Sequence, residues 1–184
     1  VPTVKQIYKD KKSLKFKLKE SQKVLCAKYR KGHFEGVLDV MNRLIKIILP
    51  KIVFMGEKDF QQLFLVKKFL EKKYDTNIFE CKTIRNNKKM ALSTRNFLLD
   101  RSSVKKAGII AKKLITLKTK INHNKKFTKQ LIKNTKTNLI KKFNIKIEYL
   151  ETRNIINLSS NIDNKDFKIF IAYYLSGIRL IDNF

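Results

Sequence analysis

The apolar run Ile52-Val53-Phe54-Met55 ends on Gly56, and helical spacing resumes at once through Leu63, Val66 and Leu70. A short continuous apolar run of this kind marks a strand buried on both faces, as in a parallel sheet covered by helices. Upstream, Phe34, Val37, Leu38, Met41, Leu44, Ile45 and Ile48 fall at helical intervals until Pro50 stops them. Downstream, Ile78 to Ile84 reads as another strand. Helix, strand, helix, strand in this order predicts an α/β domain with a doubly wound parallel sheet.

The flanks follow a different pattern. Val1 to Tyr8 reads as a strand end or turn running into a short helix. Lys15 to Lys19 alternates Lys with Phe and Leu, the signature of a half-exposed strand. In the second half, Ser102 or Ser103 is placed to cap a helix running to about Leu117, and a lysine-rich helix follows from about Thr128 to Phe143. Ile145 to Leu150, Phe167 to Leu175 and Ile178 to Ile181 read as strands, with Gly177 at a turn. Helices followed by antiparallel strands predict a small α+β domain. The hinge falls within Thr83 to Leu92, which gives domains over 1–84 and 85–184.

The formal charge is +28, from 43 Lys+Arg against 15 Asp+Glu. Such an excess suits nucleic-acid binding by phosphate neutralisation. However, Lys greatly outnumbers Arg, and the lysines spread along the whole chain. Lys, Asn, Ile, Phe and Tyr all have A/T-rich codons, so drift in a reduced bacterial or organellar genome is the preferred reading, with no specific nucleic acid as partner. The lysines of 105–142 then read as solvated helix faces. A hydrophobic fraction of 43% excludes a disordered tail, and no apolar run approaches the ~20 residues of a membrane helix. Cys26 and Cys81 lack metal or redox spacing and read as buried small hydrophobes in a reduced, cytoplasmic setting. His33 and His123 are too far apart for a familiar zinc site.

Three stretches carry candidate chemistry. In "GEKDFQQL", Gly56 lies where a parallel strand gives way to a helix, the edge where open α/β sheets bind ligands. Lys58 in the first turn opposes the helix dipole, a conflict that a bound phosphate resolves. Asp59 suits ribose hydroxyls, and Gln61 and Gln62 suit neutral polar groups; a capped surface helix is the alternative. In "KKMALSTRN", Ser93, Thr94 and Arg95 suit phosphate oxygens, or else form a cap and turn before the next helix. In "RKGHFEGV", Gly32 and Gly36 bracket His33, which reads as stabilising a turn at a helix start.

Together, "RKGHFEGV", "MGEKDFQQL" and "LSTRN", with the ending "FIAYYLSGIRLIDN" and the opening "VPTVKQIY", resemble the pantothenate synthetase (pantoate–β-alanine ligase) family over essentially the whole chain. The resemblance implies part of a Rossmann-like nucleotidyltransferase domain followed by a small α+β domain with an antiparallel sheet. It implies ATP-dependent condensation of pantoate with β-alanine through a pantoyl-adenylate, in a homodimer, with Mg2+ ligands mostly outside this chain. It implies an ATP site of Gly56, Glu57, Lys58, Asp59, Ile84, Leu92, Ser93, Thr94 and Arg95. Gly56 and Asp59 would face the ribose and Ile84 the adenine, while Lys58, Ser93 and Arg95 would act at the phosphates as catalytic groups. Gln62 would hold pantoate. Lys31 stands where the family has proline, Thr94 where it has serine, and Lys88-Lys89 where Asp-Gly is usual, which removes a turn glycine. The family's His-containing signature and its magnesium-associated acids are not found here. The expectation is a C-terminal portion, inactive or weakly active alone; a basic nucleic-acid-binding protein and an inactive remnant of the ligase are the rivals.

Overall fold

The computed structural model describes residues 2–9, 16–162 and 166–184. The chain divides into two compact units, Val1–Lys82 and Thr83–Phe184.

In the first unit, helix α1 (Val4–Ile7) opens with a reciprocal cap. The Gln6 amide donates to Thr3 Oγ1 at 3.3 Å, and the Thr3 amide donates to Gln6 Oε1 at 2.7 Å. The strand expected over Lys15 to Lys19 does not form at residues 16–19, and Lys15 lies outside the described residues. Its apolar alternation serves packing instead: Phe16 meets Phe69 edge-on at 5.9 Å and Leu18 is buried. A 3-10 turn (Glu20–Gln22) then leads into α2 (Leu25–Tyr29). Helix α3 (His33–Ile48) starts at Gly32 (φ +75°) and ends at Leu49 in the left-handed region, just before Pro50.

Strand β1 (Ile52–Gly56), helix α4 (Phe60–Tyr74) and strand β2 (Asn77–Cys81) form a β-α-β unit: two parallel strands joined by a helix, with Ile52 opposite Asn77 and Phe54 opposite Phe79. Helix α4 packs on the face that carries Ile78, which is buried with Leu63, Leu65, Val66 and Leu70. Each such side chain contributes about 1.5–3 kcal/mol. The other face corrects the expectation that β1 is buried on both sides. Ile52, Phe54 and Phe79 remain 49%, 67% and 53% exposed, because among the described residues nothing covers that face. Cys26 is buried as expected, whereas Cys81 is only partly so.

In the second unit, α5 (Arg101–His123) and α6 (Thr128–Phe143) pack on the antiparallel sheet β3 (Ile147–Asn154), β4 (Phe167–Leu175), β5 (Ile178–Asn183), in that spatial order. One core joins Ile110, Leu114, Leu117, Ile121 and Leu139 of the helices to Ile147, Ile169 and Ile171 of the sheet. The β4–β5 turn uses Ser176 (φ +48°) and Gly177 (φ +77°), two successive left-handed residues that match the twist of a hairpin. Helix α5 is capped by Asp100, not by Ser102 or Ser103: Asp100 Oδ1 accepts from the Ser103 amide at 2.6 Å. That bond, ahead of any other influence, holds the Asp100 carboxyl below its ordinary range. Ser103 is instead buried, with its hydroxyl 2.9 Å from that of Ser176 at the hairpin tip.

Candidate functional site

Gly56 is the last residue of β1, and Glu57–Asp59 form one 3-10 turn before α4. The turn holds Glu57, Lys58 and Asp59 just after Gly56 at the carboxyl end of a parallel strand, and Gln62 follows in the first turn of α4. The Lys58 side chain is 19% exposed, and its Nζ lies 3.8 Å from Asp59 Oδ2. Asp59 stands at the N-cap position of α4, yet its side chain makes no capping bond. The Asp59 carboxylate, the more exposed of the pair, is turned toward the ammonium of Lys58.

The two glutamines separate by role. Gln61 is buried, with Nε2 donating to the carbonyls of Val24 at 2.8 Å and Gln22 at 3.0 Å. Its Oε1 accepts from the Ala27 amide at 3.3 Å. Gln61 thus fastens the segment around α2 to α4, which corrects its reading as a ligand contact. Gln62 is only partly buried, one turn beyond Lys58. His33 opens α3 with its ring 5.0 Å from that of Phe34, a helix-start position as expected.

The second unit carries the other candidates. Residues 84–92 form a short ribbon in which Arg85 bridges Ala91 and the Leu92 amide donates to the Ile84 carbonyl at 2.9 Å. That bond brings Ile84 and Leu92 side by side, 71% and 53% exposed. At the ribbon's turn the Asn86 carboxamide oxygen accepts from the amides of Lys88 at 3.0 Å and Met90 at 3.1 Å. Lys89 adopts φ +69°, so the turn that lacks a glycine keeps a left-handed backbone. Gly108 of α5 lets this turn approach: a Cβ there would lie 2.8 Å from Lys88 Cβ and 2.9 Å from the Lys88 carbonyl oxygen.

After the ribbon, Ser93 caps a 3-10 helix (Thr94–Leu98), its Oγ accepting from the Arg95 amide at 3.3 Å. Thr94 and Arg95 are exposed, and Arg95 Nη1 donates to the Arg179 carbonyl at 3.2 Å. Sequence reasoning missed what fixes the ribbon. The Arg85 guanidinium bonds to Asp182 and to the carbonyls of Lys89 and Asn183, and it lies 4.4 Å from the Phe184 ring centroid. Asp182 stood within the quoted ending "RLIDN", but no local pattern ties it to a residue so distant in sequence.

The family model described as pantoate-β-alanine ligase matches residues 1–184. The chain is 34% identical to the pantothenate synthetase of Flavobacterium psychrophilum, across 99% of this chain and 66% of that protein. It is 36% identical to the bifunctional pantoate ligase/cytidylate kinase of Prochlorococcus marinus, across 100% of this chain and 36% of that protein. It therefore spans about two thirds of the length of the pantothenate synthetase and about one third of the bifunctional relative. Pantothenate synthetase from Thermus thermophilus shares the fold, with a TM-score of 0.86 at 23% identity, over 100% of this chain and 67% of that one. The pantoate-β-alanine ligase of Francisella tularensis, solved in complex with β-γ ATP and β-alanine, superposes with a TM-score of 0.70 at 30% identity, over 98% of this chain and 61% of that one. The two units, their parallel and antiparallel sheets, and the sequence over their whole length all match one group of proteins: the chain belongs to the pantoate–β-alanine ligase family.

Proposed function

We propose that this chain supplies ATP- and pantoate-binding groups to a pantothenate synthetase. In the proposed reaction a carboxylate oxygen of pantoate attacks the α-phosphorus of ATP. The bond to the β-phosphate oxygen breaks, and pyrophosphate leaves. The amine of β-alanine then attacks the acyl carbon of the pantoyl-adenylate, loses a proton, and displaces AMP to give pantothenate.

The observation that carries this reading is the junction of β1 and α4, where Gly56, Glu57, Lys58 and Asp59 follow the carboxyl end of a parallel strand and Gln62 sits in the first turn of α4. Gly56 leaves room for the nucleotide beside the backbone, Asp59 accepts from ribose hydroxyls, and Glu57 lies with them. With its side chain only 19% exposed, Lys58 acts where water screens little, so its charge stabilises oxygens that gain negative charge as the α-phosphorus is attacked. Gln62 holds pantoate through its carboxamide. On the second unit, the paired apolar side chains of Ile84 and Leu92 offer a surface to adenine, and Ser93, Thr94 and Arg95 offer donors to the phosphates.

Among the described residues, no group of three or more His, Cys, Asp or Glu could hold a metal ion. The Mg2+ that accompanies ATP in this reading takes its protein ligands mostly from outside this chain, and no step is assigned to it. The chain is read as acting in the cytoplasm within a homodimer, and among the described residues no helix is long and apolar enough to cross a membrane.

The test is pantoate-dependent ATP–pyrophosphate exchange by the intact gene product. Lys58→Ala is expected to lower kcat by roughly 100-fold or more. Gln62→Ala is expected to raise KM for pantoate about tenfold while leaving that for ATP in place. Undiminished exchange by Lys58→Ala overturns the assignment.

A further inference from the structure

Residues 101–143, which hold α5 and α6, contain thirteen lysines, one arginine, and no aspartate or glutamate. Evenly spread, the chain's 15 acids would place about three or four in this stretch. A bias toward lysine does not by itself remove acids, and their absence has a physical cost. Neither helix can relieve its lysines with internal ion pairs, and Lys129, Lys133 and Lys136 repel one another across single turns of α6.

The geometry places this charge beside a built concavity. A groove of about 550 Å³ runs between the helices. Its polar lining is Lys112, Lys113, Thr116 and Lys120 from α5 and Asn134, Thr135 and Asn138 from α6, with leucines and an isoleucine of the two helices between them. The cationic groups all come from α5, and the polar groups of α6 are neutral hydrogen-bonding ones. On α5 the charge continues one step past the groove: Lys106, outside it, precedes Lys113 by seven residues, as Lys113 precedes Lys120, about 10 Å along the axis each time.

We propose that this groove binds the phosphate backbone of a nucleic acid without reading its sequence. Point-charge ammonium groups with amide and hydroxyl neighbours suit phosphate and sugar oxygens. The groove residues include no arginine, and ammonium groups on flexible stems favour contacts to the backbone over a fixed base-by-base readout. A charged track continuing past the groove suits a polymer better than a single small anion. The surface lies on the second unit, and the proposal does not depend on the reaction assigned above.

The test measures fluorescence anisotropy of labelled 20-nucleotide single strands and 20-base-pair duplexes with the full chain, from 50 to 300 mM KCl. The triple variant Lys112→Gln, Lys113→Gln, Lys120→Gln is compared with a control of equal charge change on the first unit, Lys46→Gln, Lys51→Gln, Lys82→Gln. Binding at 150 mM KCl is expected to weaken at least tenfold in the groove variant and less than twofold in the control. The slope of log K against log salt should fall by about 2–3 in the groove variant. Arginine at the same three positions should preserve binding, and unrelated sequences should bind alike. The single-strand and duplex arms identify which form of backbone the groove takes. No binding at 150 mM KCl, equal weakening of both glutamine variants, or equally tight groove-dependent binding to polyglutamate or phosphatidylserine vesicles overturns the proposal.

Discussion

The Arg85 guanidinium grips the Asp182 carboxylate through two parallel hydrogen bonds, Nη1 to Oδ2 at 2.8 Å and Nη2 to Oδ1 at 2.9 Å. The side chains are only 19% and 10% exposed, so the pair is shielded from the screening that makes surface ion pairs weak. Removing either partner leaves a charge with little water. Arg85→Ala or Asp182→Ala is expected to destabilise the second unit by about 2–3 kcal/mol in urea denaturation. Arg85→Lys should recover only part, because an ammonium cannot reproduce the fork. Strictly additive losses in the double variant would show that the pair is not coupled.

Gly108 is the second support of the same ribbon. Alanine there improves helix propensity by about 1 kcal/mol. Its Cβ would meet the Lys88 carbonyl oxygen at 2.9 Å, a backbone atom that cannot rotate away. Gly108→Ala is therefore expected to destabilise, by about 1–2 kcal/mol. A higher denaturation midpoint would refute this.

Lys89 sits at φ +69°, where a Cβ is strained. Lys89→Gly should stabilise by about 0.5 kcal/mol, the relieved strain exceeding the greater freedom of the unfolded chain. The same denaturation experiment reads the sign.

Two groups make stability rise with pH, each in its own window. Burial first, then the charges of Lys168 and Lys125, lower the Lys118 ammonium to about 8. Between that value and its ordinary one near 10.5, the unfolded chain binds more protons than the folded one, so stability rises with pH across this window. Lys118→Met should lose this part of the rise. For Glu148, burial pushes the carboxyl up, but hydrogen bonds from Arg179 and Tyr174 and the charges of Arg179 and Lys146 outweigh it, and the net shift is downward. Its contribution is present above the ordinary carboxylate range and is lost as pH falls through the depressed value. Glu148→Gln should flatten the acid limb of a thermal-denaturation profile.

The repeating features of this fold are legible in the sequence. The helix expected over Thr128 to Phe143 occupies those residues, and the β4–β5 hairpin turns where Gly177 predicts. Periodic burial writes itself locally, whereas pairings between distant groups do not. Arg85 and Asp182 are 97 residues apart. Gln61 and Gln62 are chemically identical neighbours, and only the packing of α2 against α4 reveals that the first is already fully engaged. Ser103 looks like a cap until Asp100, three residues earlier, takes that bond. The polar turn after β1 reads as an anion site from its residues alone, whereas the proposed assignment of Gln62 to pantoate rests on the likeness of whole motifs.

The open face of the two-stranded sheet has a consequence for handling the protein. Ile52, Phe54 and Phe79 form an oily plate on a body of formal charge +28. In dilute buffer, mutual repulsion keeps such plates apart. At 1 M salt the repulsion reaches only about 3 Å, and the plates can meet. Colloidal behaviour should then invert the usual rule for basic proteins: brine, which strips off adhering polyanions, also brings the molecules together.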